Sequence, residues 1–300
     1  MIKELHSKIS WLDIVNPTEE ELSDLQKRFH LHPLIISELK NPSTRTKIEV
    51  YDGLMFIVYY LSNYNEKTQI SEAIEIDFLL TKDALVSVRY QNFKLIDNLF
   101  EKIKNDPSNL LNKTPAHLLH YILEEGLTFS LRQLAHINGK IKKIEDAIFK
   151  SNPKSLIEQI AIVKRDILDQ RLIARPQHSI LESLKERGVQ FFGKDLEIYF
   201  NDLLGDYEKL WMNLDNLKET IESLENTNNT FFESRTNEIM KILTILAFIT
   251  FPLTLISSIF SMNTAYMPFV NSPYGFWYVI GLMVLLALLF LAVFKIKKWL

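Results

Sequence analysis

Between Lys241 and Lys295 the chain carries no Asp, Glu, Lys, Arg or His. A helix needs about 20 apolar residues to cross the hydrocarbon of a bilayer, so a charge-free run of this length has room for two crossings. The chain must turn back between them, and the polar triplet Ser261-Met262-Asn263 sits where the first crossing ends. Repeated around an oligomer, such a triplet can form the mouth of a pore. We therefore read 242–260 as a first transmembrane helix, 261–275 as an external loop, 276–294 as a second transmembrane helix and 295–300 as a basic tail.

Charge orients the two crossings. Lys241 precedes the first, Lys295, Lys297 and Lys298 follow the second, and the loop has no Lys or Arg. By the positive-inside rule both termini then face the cytoplasm, as expected for a multi-pass protein of the cell membrane. No apolar run follows Met1, so no cleavable signal is expected. The absence of Cys excludes disulfides and thiolate metal sites. With a net charge of −3 and Lys and Arg scattered among Asp and Glu, nucleic acid is not an expected partner.

Residues 1–110 read as an α/β domain. Trp11 to Val15 is a strand closed by Asn16-Pro17, where Asn16 is expected to cap a helix whose first turn holds Glu19, Glu20 and Glu21. After a short helix from Leu34, β-branched and aromatic residues mark strands at 47–51, 54–62, 72–80 and 84–90. Strands followed by helices suggest an α+β arrangement. Residues 111–192 read as a helical hairpin region with breaks at Asn152-Pro153 and Arg175-Pro176.

A long stalk helix is expected over 193–241, running into the first crossing, because no Pro interrupts the pattern before Pro252. Leu203, Tyr207, Leu210, Leu214, Leu217, Ile221 and Leu224 alternate steps of four and three, a heptad seam of the coiled-coil kind. Its acidic side includes Asp202, Asp206, Asp215, Glu219 and Glu222. Two readings stand: a solvated face, or a field that concentrates cations near the membrane.

Continuing the same stepping from Asn237 gives Met240, Thr244, Ala247, Phe251, Thr254, Ser258 and Ser261, mostly small or polar on a helix otherwise of Ile, Leu and Phe. Small and hydroxyl residues serve plain helix packing in membranes. Alternatively, several copies meet at an axis and this row lines a conduit, with Met240 and Phe251 as apolar constrictions and Thr254 and Ser258 as hydrated zones.

Other chemistry is poorly represented. Gly188-Val-Gln-Phe-Phe-Gly193-Lys194-Asp195 imitates a phosphate-binding loop, but Asp stands where Ser or Thr must hold Mg²⁺ and no strand precedes it, so no nucleotide is expected. His117 and His120 share a helix face without further metal-ligating partners. No nucleophile-base constellation appears, so the chain does not read as an enzyme and no prosthetic group is implied.

These residues resemble the CorA family of divalent-cation transporters. The resemblance is carried by Arg235 to Leu246, Phe251-Pro-Leu-Thr-Leu255, Met262-Asn263, Met267-Pro268, Tyr274-Gly275 and the Lys-Lys-Trp-Leu300 ending, together with Trp11 to Glu20, Leu31-His-Pro33 and Tyr51-Asp-Gly53. It implies a funnel-shaped homopentamer with an α+β cytoplasmic domain, a long stalk helix and two transmembrane helices, the first lining the pore. The family's Gly-Met-Asn signature here reads Ser261-Met262-Asn263, and its Met-Pro-Glu-Leu loop reads Met267-Pro268-Phe269-Val270. By the same resemblance Asn237, Met240, Thr254 and Asn263 fall on pore positions and Leu243 on a gate. Asp202 falls on a regulatory Mg²⁺ ligand, with Asp206 one residue away from a second.

The function expected is influx of Mg²⁺, with Co²⁺ or Ni²⁺ as further cargo, driven by the membrane potential and gated by cytoplasmic Mg²⁺. The expected partners are divalent cations, the lipid bilayer and further copies of the chain. A zinc-preferring or proton-coupled relative is a second reading. A membrane-anchored metal sensor or scaffold without conduction is a third.

Overall fold

The computed structural model describes residues 2–43, 45–108, 110–148, 153–263, 268, 273–297 and 299, with only the backbone of 153–155. Two compact units result, 1–226 and 227–300.

The first unit is built on a six-stranded sheet. Its strands are β1 (Ile2–His6), β2 (Ser10–Val15), β3 (Lys47–Tyr51), β4 (Leu54–Asn65), β5 (Ile70–Leu80) and β6 (Ala84–Arg89). The spatial order is β1-β2-β6-β5-β4-β3. Only β2 and β6 run parallel, with Asp13 opposite Ser87. Strand β1 is an edge that periodicity did not reveal: its side chains are exposed or half-buried, so no apolar alternation marks it.

Pleating sends alternate residues to two cores. Leu12, Ile14, Phe56, Val58, Val86 and Val88 face α1 (Glu19–Phe29) and α2 (Pro33–Glu38). Trp11, Ile57, Tyr59 and Phe78 face the larger core built with α3 (Lys94–Asn105), α4 (Pro115–Ile148), α5 (Pro153–Ala174) and α6 (Gln177–Phe192). The layer arrangement is therefore α+β, with helices covering both faces of the sheet.

Asn16 does not cap α1. Its N–H donates to the Arg89 carbonyl at 2.8 Å, so it finishes β2 with φ 49°. The cap is Thr18: its Oγ1 accepts from the Glu21 N–H at 3.2 Å, and the Glu21 carboxylate accepts from the Thr18 N–H at 2.9 Å. That reciprocal pair satisfies two of the helix's orphan donors, which Asn16 cannot do from the end of a strand.

The long helix α7 spans Glu197–Phe260 with Pro252 inside it, and starts after a 3₁₀ turn at Lys194–Leu196. The seam from Leu203 to Ile221 is buried in the larger core of its own chain, alongside residues of α4, α5 and α6. Its acidic side is partly paired from α5: Arg171 contacts Asp215 and lies over Trp211, and Lys164 sits 2.6 Å from Glu225. These α5 partners lie some 40 to 60 positions away, beyond the reach of sequence spacing.

In the second unit the last turns of α7 lie with α8 (Gly275–Ile296). The charge-free part of α7 and all but the last turn of α8 are long and apolar enough to cross a membrane. Within 261–275, residues 264–267 and 269–272 fall outside the described set, and with them the expectation for Met267-Pro268-Phe269-Val270.

Candidate functional site

The candidate conduit is the row of small and polar residues on α7. Burial shows which side of this helix is covered within the second unit. Ile245 is buried, and Ile249, Pro252, Leu253, Ile256 and Phe260 are half-buried. Phe294 of α8 is buried as well and meets Phe248 with ring centroids 6.2 Å apart. Asn237, Met240, Leu243, Ala247, Phe251, Thr254, Ser258 and Ser261 are exposed, and Thr244 is half-buried. At about 100° per residue the row is centred roughly opposite the covered face. The Phe248 contact with α8 lies on the flank between the row and the covered face.

Hydroxyl chemistry on this helix is arranged locally. Thr244 Oγ1 donates to the Met240 carbonyl at 2.7 Å, Thr250 Oγ1 to that of Leu246 at 2.9 Å, and Thr254 Oγ1 to that of Thr250 at 2.9 Å. Each hydroxyl hydrogen is committed to the backbone four residues earlier. The oxygens of Thr244 and Thr254 are left as acceptors, the polarity a hydrated cation needs. Pro252 supplies no N–H to the Phe248 carbonyl, which removes one rung of the ladder in the same region.

The helix closes tightly at the signature. The Ser261 N–H is shared between the carbonyls of Ser257 at 3.0 Å and Ser258 at 3.2 Å, and the Met262 N–H reaches Ile259 at 3.2 Å. The final turn therefore narrows toward a 3₁₀ pattern. Asn263 follows beyond the helix, and Ser261, Met262 and Asn263 are all exposed. Ser261 is not among the residues with positive φ. Serine thus fits the backbone of the signature's Gly position without strain, since only the left-handed region would favour Gly there.

The two acids of the candidate regulatory site have separate surroundings in the chain. Asp202 Oδ2 lies 3.5 Å from Nε2 of the buried His120, and Asp206 pairs with Lys209 at 2.8 Å. His117 and His120 meet the Tyr199 ring edge-on, at 4.8 and 5.1 Å between centroids. His120 was not legible as a neighbour of Asp202, being 82 positions away on another helix with no motif joining them. Among the described residues no three His, Asp or Glu converge to hold a metal ion within this chain.

The phosphate-loop imitation is resolved by the same helices. Gly188 lies inside α6, where an added Cβ would come 2.7 Å from the Phe200 ring. This glycine gives close packing of α6 on α7, not a loop around an anion.

Comparison with known proteins follows the same outline. The family model described as CorA-like Mg²⁺ transporter protein matches residues 6–297. The chain is 25% identical over 290 residues to the cobalt/magnesium transport protein CorA of Thermotoga maritima, covering 95% of this chain and 83% of that one. It is 24% identical over 298 residues to the cobalt/magnesium transport protein CorA of Methanocaldococcus jannaschii, covering 97% and 92%. Among solved structures, the complete CorA magnesium transporter from Methanocaldococcus jannaschii superposes with a TM-score of 0.86 at 22% identity, covering 98% of this chain and 92% of that one.

Proposed function

Because this chain belongs to the family of CorA-like Mg²⁺ transporters, which are transporters and not enzymes, we propose that it carries divalent cations across a membrane as a homopentamer, with α7 lining the pore. The observation that carries this reading is the division of α7 into two faces. Ile245, Ile249 and Ile256 lie on the covered side, while Ala247, Thr254, Ser258 and Ser261 lie on the open one. Five copies packed about an axis cover the open face with one another and leave α8 to the lipid. Small side chains then suit close approach, and acceptor oxygens suit a hydrated ion.

Asn263 forms the outer ring in this reading. Its amide oxygen, five times repeated, accepts hydrogen bonds from the water shell of Mg²⁺, an ion that dehydrates reluctantly. Met262 and Ser261 set the width below it. Phe251, Ala247, Thr244, Leu243, Met240 and Asn237 continue the path, with the apolar members as constrictions. Inward movement needs no ATP: about 2.3 kcal/mol per charge per 100 mV acts on the ion, and twice that on a divalent one. Both termini lie on the cytoplasmic side, where Lys241, Lys295 and Lys297 flank the spans.

Regulation by Mg²⁺ rests on Asp202 in this reading, with Asp206 four residues on along the same helix. A cation held there takes its other ligands from water or from a neighbouring copy. Purified protein in liposomes tests the whole proposal. Mg²⁺, Co²⁺ and Ni²⁺ entry under an inside-negative potential is expected, with loss on Asn263→Ala. Zn²⁺ entry coupled to a proton gradient would replace this reading by a proton-coupled zinc transporter. Absence of flux with retained Mg²⁺ binding would replace it by a non-conducting sensor.

A further inference from the structure

A cavity of about 270 Å³ opens in the first unit where the ends of β4 and β5 meet α4 and α5, away from the two candidate spans in sequence. Asp166 of α5 forms part of its lining and is fully buried. Its Oδ1 accepts from Ser71 Oγ at 2.8 Å, while its Oδ2 has no hydrogen-bond partner.

Several neighbouring donors are already committed. The Ser71 hydroxyl is used on Asp166 itself, and the Gln170 amide nitrogen donates at 2.8 Å both to Ser71 Oγ and to Gln133 Oε1. The Ser62 hydroxyl donates to the same Gln133 oxygen at 2.9 Å. Lys140 is the nearest cation, at 3.6 Å from Asp166 Oδ2. It is held by the Tyr64 hydroxyl at 2.9 Å and lies over the Tyr64 ring, 4.3 Å from its centroid. The lining thus holds two carboxylates, Asp166 and Glu66, one ammonium, Lys140, and the imidazole of His136, beside the apolar surface of Ile137 and the Tyr64 ring.

We propose that this cavity binds a small aliphatic primary amine, whose ammonium group donates to Asp166 Oδ2 while its alkyl chain lies against Ile137 and Tyr64. The occupant brings hydrogens to an oxygen that takes none from Ser71, Gln170 or Ser62 and has only the ion pair with Lys140 at 3.6 Å. A positive charge balances the second carboxylate. Burial also pushes the Asp166 carboxyl above its ordinary range, so it gains more from an arriving cation than an exposed acid does. A bare metal ion is disfavoured, since no three ligating side chains converge there among the described residues.

Titration calorimetry on the full-length protein in detergent tests this, with putrescine as the probe and 1,4-butanediol as its uncharged counterpart. Saturable putrescine binding is expected, with none for the diol. Asp166→Asn is expected to weaken putrescine at least tenfold. Lys140→Gln, on the partly exposed side of the cavity, is expected to strengthen it several-fold by removing the competing ammonium, which keeps the test alive if the buried variant misfolds. Absence of saturable putrescine binding to the wild type, equal binding of the diol, or unchanged affinity in both variants would overturn the proposal and leave Asp166 Oδ2 to a water molecule.

Discussion

Phe294 of α8 packs edge-on against Phe248 of α7, with ring centroids 6.2 Å apart, about 60° round the helix from the buried Ile245. Burial assigns the face of Ile245, Ile249 and Ile256 to the chain itself and leaves that of Ala247 and Thr254 open. Because the chain has no Cys, single cysteines report the two faces cleanly. In proteoliposomes, Ala247→Cys and Thr254→Cys are expected to react with a charged thiol reagent and lose most of their flux. Ile249→Cys is expected to remain unlabelled. Equal labelling of both faces would remove α7 from the pore.

Asp202 offers a second test, independent of conduction. Limited proteolysis with rising Mg²⁺ is expected to show protection of the wild type. Asp202→Ala is expected to need about tenfold more Mg²⁺ or beyond, since losing one contact to a charged group costs about 1.5–3 kcal/mol. Identical protection curves would separate Asp202 from cation sensing and leave it as a neighbour of His120.

Inside the sheet, Arg89 and Asp13 are both fully buried and joined at 2.8 Å, with Arg89 also reaching Asp97 at 2.6 Å. Truncating one partner strands a charge in the core. Arg89→Ala is therefore expected to destabilise the first unit by about 3–5 kcal/mol, read as a lower denaturant midpoint. Removing Asp13 as well should recover part of that loss. Simple additivity of the two changes would contradict the coupling.

Asp77 gives the pH dependence. Burial pushes its carboxyl up to about 8 from an ordinary value of 3.8, and the charge of Glu75 adds to the rise, against the lowering effect of the Tyr90 hydroxyl bond. Burial raises Glu75 as well. The folded state then holds a proton that the unfolded state releases above about pH 4. Stability from this source is complete below that value and is lost as pH rises through about 8. Thermal unfolding of the wild type is expected to shift downward between pH 5 and 8 on this account, and Asp77→Asn is expected to flatten the slope. An unchanged slope would mean that Asp77 is ionised in the fold.

The features that were legible are those written in neighbouring residues. The strands at 72–80 and 84–90 followed from composition, and the turn between them closes with the Thr81 N–H on the Ala84 carbonyl at 2.9 Å. The spans followed from the lack of charge, and the row from Asn237 to Ser261 followed from helical spacing. Harder cases involved competition between distant partners. Asn16 has the chemistry of a cap, but the Arg89 carbonyl claims its N–H, 73 positions away, and Thr18 takes the role. Strand β1 carries too little buried surface to announce itself.

From the sequence alone came the two crossings, the α+β order of elements, the heptad seam and Asn263 at the end of the first span. These rest on composition and period, which each segment carries by itself. The tertiary structure decided that the seam is buried in its own chain, that Ile245 is covered and Thr254 is not, and that Asp202 lies against His120. It also brought Asp166 to a cavity with one oxygen unbonded. Such relations depend on which surfaces meet after folding, and no local period encodes a partner on another element.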